Sequence, residues 1–150
     1  MSDPATINPR IIEALYCEGL MLSDEVRGAF SMTGGDPRSP EDERRVALSC
    51  EALRTTTRMM HAVAWLLNHR AYFRGEISEF QLRRHGRLQS EFPGPDPTRM
   101  TMLDPAMQDL IAATVRFYAR LVRIDTAWRR ETEGPSAIER LRERLGGAVG

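Results

Sequence analysis

The sequence predicts an all-α protein: a bundle of three long helices with a short extra helical segment between the second and third. Two observations predict this fold. Long segments free of Gly and Pro repeat apolar residues at steps of three and four, and no segment alternates β-branched residues as a strand would. The chain has 150 residues, 41% hydrophobic and 28% charged, which fits one domain with one core. We expect a single domain over residues 1–150, with flexible ends at 1–8 and 135–150.

The first long helix is predicted to begin at Asn8-Pro9, because an N-cap residue followed by proline is typical of a helix start. Gly34-Gly35 is expected to end it. Between these signals, one apolar stripe follows the helical period. Its members are Ile12, Leu15, Gly19, Leu22, Val26 and Phe30.

The second helix is predicted to start at Ser39-Pro40 and to run without Gly or Pro to Gly75, a length of about 50 Å at 1.5 Å per residue. A strict four-three rhythm along it is typical of the buried seam of a left-handed bundle. That seam is predicted to consist of Val46, Cys50, Leu53, Thr57, Met60, Ala64, Leu67 and Ala71.

The remaining segments are separated by clear turn signals. Ser78 with Gln81 forms a capping-box pattern that opens a short helical segment, and the proline-rich stretch 92–97 predicts an extended connection. The third long helix is predicted from Asp104-Pro105 to Gly134-Pro135. Its stripe is Met107, Leu110, Thr114, Phe117, Leu121, Ile124 and Trp128. The tail could add an amphipathic turn through Ile138, Leu141 and Leu145, which we expect to be loosely held.

The second and third helices carry more apolar residues than one stripe each. Since a helix in a monomeric bundle buries about a third of its circumference, the surplus predicts an interface, and a homodimer is the simplest way to cover it. The alternative is that the short segment and the connection cover it. The residues assigned to this dimer interface are Met59, Val63, Trp65, Leu66, Tyr72, Phe73 and Tyr118.

The composition excludes several other classes of protein. The formal net charge is zero, so a general nucleic-acid binder is not expected, and no segment fits a signal peptide or a membrane span, so we expect a cytoplasmic protein. Cys17 and Cys50 lack CxxC spacing and are expected to be free thiols. No phosphate-binding, dinucleotide or metal motif occurs, so we predict no enzyme activity, no cofactor and no metal.

Two alternatives stay open. The basic run Arg83-Arg84-His85-Gly86-Arg87 is compatible with a DNA-associated regulator, although no helix-turn-helix pattern flanks it. His61 could be the phospho-accepting residue of a phosphotransfer bundle, although Trp65 at i+4 and Arg58 at i−3 crowd it, and a histidine packed at the edge of an interface explains it better.

A combination of residues across the three helices is more specific. Residues 48–78 read LSCEALRTTTRMMHAVAWLLNHRAYFRGEIS. Within this stretch the characteristic positions are Ser49, Glu51, Arg54, Thr57, Arg58, Met60, Ala64-Trp65-Leu66-Leu67, Arg70-Ala71 and Gly75-Glu76-Ile77-Ser78. The flanking helices add Leu15-Tyr16, Glu25, Arg27, Phe117-Tyr118, Arg120, Val122, Arg123 and Asp125. Together these closely resemble the RcdA family, the alphaproteobacterial "regulator of CtrA degradation" proteins, also described as a domain of unknown function.

The resemblance implies a homodimer of three-helix bundles that acts as an adaptor in the ClpXP protease system. It implies recruitment to the AAA+ protease together with a response-regulator-like partner, and tethering of substrate proteins such as cell-cycle transcription regulators. We expect outward-facing residues to make the partner contacts: Arg54, Arg58, Arg70, Glu76, Arg83, Arg84 and Arg87. Arg54, Arg58 and Glu51 could instead pair within and between helices.

Overall fold

A computed structural model describes residues 7–31, 42–133 and 137–148 of the chain. All regular secondary structure in these residues is helical, which confirms the predicted all-α class. The helices are α1 (Pro9–Ser31), α2 (Asp42–Phe73), α3 (Glu79–His85), α4 (Pro97–Met100), α5 (Pro105–Glu133) and α6 (Ala137–Ala148). None of them is long and apolar enough to cross a membrane.

Helix α1 begins as the sequence predicts. The side-chain oxygen of Asn8 accepts a hydrogen bond from the backbone N–H of Ile11 at 3.0 Å, which satisfies one of the free donors at the helix start. The predicted stripe faces the core, with Ile12, Leu15, Gly19 and Val26 buried. The predicted stop at Gly34-Gly35 and the predicted start of α2 at Ser39-Pro40 lie outside the described residues.

Helix α2 faces the core with a different side from the predicted one. None of the eight predicted seam residues is buried: Leu53 is 70% exposed and Met60 is 67% exposed. The seam prediction was therefore wrong. The side chains that point inward are Ala47, Glu51, Thr55, Arg58, Met59, Ala62, Trp65, Leu66 and His69. Six of these belong to no predicted apolar stripe because they are small, polar or charged.

Helix α5 begins and ends where the sequence predicts, and Thr114, Phe117, Leu121 and Trp128 of its predicted stripe are buried. It packs against α1 and α2 around one shared hydrophobic core. Gly19 permits close packing of α1 and α5, because a Cβ atom there would lie 3.2 Å from the Phe117 ring.

The segment between α2 and α5 contains two short helices. Helix α3 has the predicted capping box: Ser78 and Gln81 exchange side-chain and backbone hydrogen bonds. Helix α4 was not predicted. Asp96 caps it by accepting from the N–H groups of Thr98 and Arg99, which also lowers the pKa of the Asp96 carboxyl, and Pro97 is its first residue. We call residues 86–104, which join α3 to α5, the connection.

The tail is helical from Ala137 to Ala148, consistent with the predicted amphipathic turn but longer. Leu141 and Leu145 both lie in water on this helix. Their exposure agrees with the small apolar surface that the sequence offers in this segment.

Candidate interaction surfaces

Four of the residues predicted to form a dimer interface lie inside the chain. Met59, Trp65, Leu66 and Tyr118 are each at most 5% exposed, so they cannot also cover a second copy. This prediction is corrected by the orientation of α2, which turns its Trp65 side toward α5. Val63, Tyr72 and Phe73 are half-buried.

Trp65 forms the centre of the contact between α2 and α5. Its indole N–H donates to the Asp125 carboxylate at 3.0 Å, and its ring lies 4.2 Å from the His69 ring. Trp128 closes the other side of His69, with ring centroids 5.3 Å apart. Burial lowers the pKa of His69 to about 4, more than the neighbouring Asp125 raises it. His69 is therefore a neutral core residue at neutral pH.

Arg58, predicted to contact a partner, is instead a core residue that is 2% exposed. Its guanidinium donates to the Thr114 hydroxyl at 3.1 Å and to the Pro93 carbonyl at 3.3 Å, and it lies over the Phe92 ring. Burial lowers the Arg58 pKa, and the nearby Glu51 carboxylate opposes that shift. The prediction of an outward Arg58 was wrong because the connection folds over it.

Two further residues of α2 hold the connection in place. The Arg54 guanidinium donates to the Gly94 carbonyl at 2.9 Å. The fully buried Glu51 carboxylate accepts from the backbone N–H of Asp96 at 3.2 Å. The interpretation that the charged residues of this stretch pair inside the chain fits Arg54, Arg58 and Glu51 better than partner binding does.

Arg70 is also engaged within the chain. Its guanidinium bonds the Glu13 carboxylate of α1 at 2.7 Å, which raises the Arg70 pKa, and it stacks 4.0 Å from the Tyr16 ring. A partner that used Arg70 would have to compete with Glu13. Glu76, by contrast, is exposed just after α2.

In the basic run at α3, one arginine makes contacts within the chain and the other two are exposed. Arg83 bridges to Glu79 at 3.1 Å, and its backbone carbonyl accepts from Arg129 of α5. Arg84 and Arg87 are exposed. Phe80, which no sequence pattern singled out, is 70% exposed on the same short helix.

The outward side of α2 is apolar and uncharged. Val46, Leu53, Met60 and Leu67 are exposed at intervals of seven residues. The other exposed positions between Val46 and Leu67 carry no carboxylate or guanidinium; they are Ser49, Thr56, His61 and Ala64. We call these eight residues the α2 outer face. Large apolar side chains at seven-residue spacing, separated by small ones, are typical of a surface that packs against another helix.

An open groove of about 890 Å³ between α1 and α2 continues this face. Leu20, Phe30, Met60, Val63 and Leu67 form its apolar walls, and Asp24 and Arg27, which pair with each other, are also among its lining residues. The apolar surface left open therefore extends from α2 onto α1.

No group of three or more His, Cys, Asp or Glu residues that could hold a metal occurs in the part of the chain that the structure describes. His61, the candidate phospho-acceptor, is exposed, with its ring 5.7 Å from the Phe92 ring.

The described residues thus define an all-helical protein whose most distinctive surfaces are an uncharged apolar face and an aromatic residue beside arginines. The chain belongs to the family described as "Protein of unknown function (DUF1465)", whose model matches residues 4–149. No curated protein and no solved structure matches the sequence.

Proposed function

We propose that this protein is a non-enzymatic adaptor of the kind that its resemblance to RcdA implies, which tethers substrate proteins such as cell-cycle regulators to the ClpXP protease. The observation that carries the proposal is that two separate surfaces remain open, the α2 outer face and the exposed Phe80 side of α3. Four large apolar side chains on one helix remain in water, where they are unfavourable unless a partner covers them.

An adaptor needs surfaces rather than reactive groups. By holding a substrate and the protease at once, it raises their effective concentration, and the gain in apparent affinity can reach orders of magnitude without new chemistry. The positions of the residues that carry the resemblance support a separation between buried structural residues and exposed binding surfaces. Glu51, Arg58 and Trp65 stabilise the fold from inside, which leaves α3 for other proteins and the outward side of α2 for a second copy.

We further propose that the protein is a homodimer in which the outer face of α2 packs against the same face of a second copy. The exposed residues extend from Val46 to Leu67, which is about 32 Å of helix. Because none of them is a carboxylate or a guanidinium, two copies would not bring such charges together, and Ser49, Thr56 and Ala64 leave room for close approach. This interface replaces the one predicted around Trp65.

Reconstituted proteolysis tests the adaptor proposal. ClpX, ClpP, the response-regulator partner and a labelled cell-cycle regulator are mixed with and without this protein. We expect faster loss of the regulator when the protein is present, with acceleration that falls again at large excess, because separate copies then occupy substrate and protease. Degradation unchanged at every concentration would contradict the proposal.

A specificity control uses the two methionines of nearly equal exposure on different helices. Met60→Glu disrupts the α2 outer face, whereas Met21→Glu alters α1 at a position that is 68% exposed. We expect Met60→Glu to reduce the acceleration and Met21→Glu to leave it close to that of the unchanged protein. Equal loss in both variants would point to a general effect of added charge.

A further inference from the structure

Helix α3 is a short helix whose position is fixed at both ends. The Ser78–Gln81 capping box holds its start, and Leu82, 1% exposed, anchors it in the core. At its end the N–H of Gly86 donates to the Leu82 carbonyl at 2.8 Å, and a Cβ atom at position 86 would lie 2.5 Å from that oxygen. Only glycine fits there without a shift. The capping box, the buried Leu82 and this turn together fix the position of α3 relative to the core.

Helix α3 carries an aromatic ring that faces solvent. Phe80 is 70% exposed although Leu82, two residues later, is buried. A large aromatic side chain on a rigid element loses little conformational freedom on binding and buries much apolar area, which is why aromatic residues are frequent at the energetic centres of interfaces.

The charges around this ring are mostly positive. Residues 79–87 contain three arginines and one carboxylate, and that carboxylate, Glu79, is already bridged to Arg83. The structure gives Arg84 and Arg87 no hydrogen bond or ion pair with any described residue. Arg84 lies four residues after Phe80 and therefore on the same side of the helix.

We propose that Phe80, Arg84 and Arg87 bind an acidic protein segment in which an apolar side chain is flanked by carboxylates. The apolar side chain packs on the Phe80 ring, and the arginine forks pair with the carboxylates, for which their planar donor geometry is suited. The inference rests on the proposed function in that it takes the partner to be a protein, and it adds the chemistry of the segment that the adaptor holds.

A single-stranded nucleic acid would also stack on an aromatic ring beside arginines. It requires a positively charged path for successive phosphates, however, and exposed carboxylates at Glu76 and Glu79 lie at the start of α3. The net charge of the chain is zero. An acidic peptide with few charges fits this small patch better than a polyanion.

Fluorescence anisotropy with a defined probe tests the proposal. The probe is a labelled 12-residue peptide in which Leu and Phe are flanked by Asp and Glu. Two companion peptides replace the apolar pair by Ser or the acids by Lys, and a labelled oligothymidylate serves as the nucleic-acid probe. We expect the full-length protein to bind only the first peptide, with affinity that falls as salt is raised.

The decisive variants are Phe80→Ala and the double reversal Arg84→Glu with Arg87→Glu, each expected to weaken binding at least about tenfold. The matched control reverses two exposed arginines of α5, Arg116→Glu with Arg123→Glu, and should change binding less than about twofold. Because Phe80 is exposed, its replacement should leave the circular dichroism spectrum and the melting temperature unchanged.

Several results would overturn the proposal: no binding of the acidic peptide, equal binding by Phe80→Ala, equal weakening in the α5 control, or preferential binding of oligothymidylate. Met60→Glu should bind the peptide normally, since α3 does not include the α2 outer face. Peptide binding without accelerated proteolysis would therefore count against the adaptor function alone, and accelerated proteolysis without peptide binding against the α3 site alone.

Discussion

His69 illustrates how a polar residue can belong to a core. It is 1% exposed and lies between the rings of Trp65 and Trp128, and neither of its ring nitrogens has a hydrogen-bond partner among the described residues. The aromatic neighbours accommodate a neutral imidazole, but they offer a positive charge little solvation. Burial therefore holds the pKa of His69 at about 4.

This lowered pKa predicts that acid destabilises the protein. In the unfolded chain His69 titrates near pH 6.5, so between pH 6.5 and 4 the unfolded state binds the proton more readily and the free energy of unfolding falls as the pH falls. The loss should be about 2 kcal/mol between pH 7 and pH 5, measured by urea unfolding at both values. Above about pH 7.5 His69 contributes almost no pH dependence, because it is then neutral in both states.

Other groups also titrate in this range, so the comparison is between variants. His69→Gln removes the titrating group and should lose most of the extra pH dependence. His61→Gln, eight residues earlier on the same helix and exposed, should keep it. If the two variants respond identically to pH, the depressed pKa of His69 is not the cause.

At the scale of whole elements, α1 and α5 could be predicted from the sequence and the orientation of α2 could not. On α1 and α5 most of the buried stripe is made of large apolar residues, so periodicity identifies it directly. On α2 the apolar stripe with the most regular period is the exposed one, and the buried side includes Glu51, Thr55, Arg58 and His69. Glu51 and Arg58 are acceptable inside because their hydrogen-bond partners come from the connection and α5, whereas His69 is held by ring contacts with Trp65 and Trp128.

The candidate site was predictable in part for the same reason. Arg84 and Arg87 are exposed, as their basic run beside turn signals indicated, and their partner contacts stay a prediction. Phe80 was missed because a single aromatic residue in a seven-residue helix has no period that would place it inside or outside. Its exposure follows only from the burial of Leu82.

The attachment of the connection to α2 makes a prediction about its stability. Arg58→Met removes the donors to Thr114 and Pro93 and one of the two positive charges near the buried Glu51, which keeps only the long 4.0 Å contact with Arg99. Removing one member of a buried charged network costs about 3 kcal/mol, so we expect a loss of that order in the free energy of unfolding. Hydrogen exchange measured by mass spectrometry should also be faster across residues 86–104.

Arg54→Met is the matched control, because Arg54 makes one bond to the same connection, to the Gly94 carbonyl, from a more exposed position. It should reduce stability much less and change exchange only near Gly94. If Arg58→Met leaves exchange in the connection unchanged, the buried hydrogen bonds do not determine its order.

At the scale of the whole molecule, α2 has polar and charged residues on its buried side and apolar residues on its outward side. Most of the α1–α2 groove is apolar as well. Binding of a second copy would bury this apolar surface. If it does, folding and association are linked, and the stability of the protein depends on its concentration.

That linkage gives a test at the level of the assembly. Sedimentation velocity should give a species of twice 17.0 kDa for the unchanged protein, and its melting temperature should rise with protein concentration. Met60→Glu places a carboxylate in the middle of the α2 outer face, where two copies would bring two negative charges together without partners, so this variant should be monomeric with a melting temperature independent of concentration. Met21→Glu adds the same charge at equal exposure on α1 and should remain dimeric. A monomer at all concentrations, or dissociation by both substitutions alike, would rule out the α2 outer face as the dimer interface, because the only difference between the two variants is the surface that receives the charge.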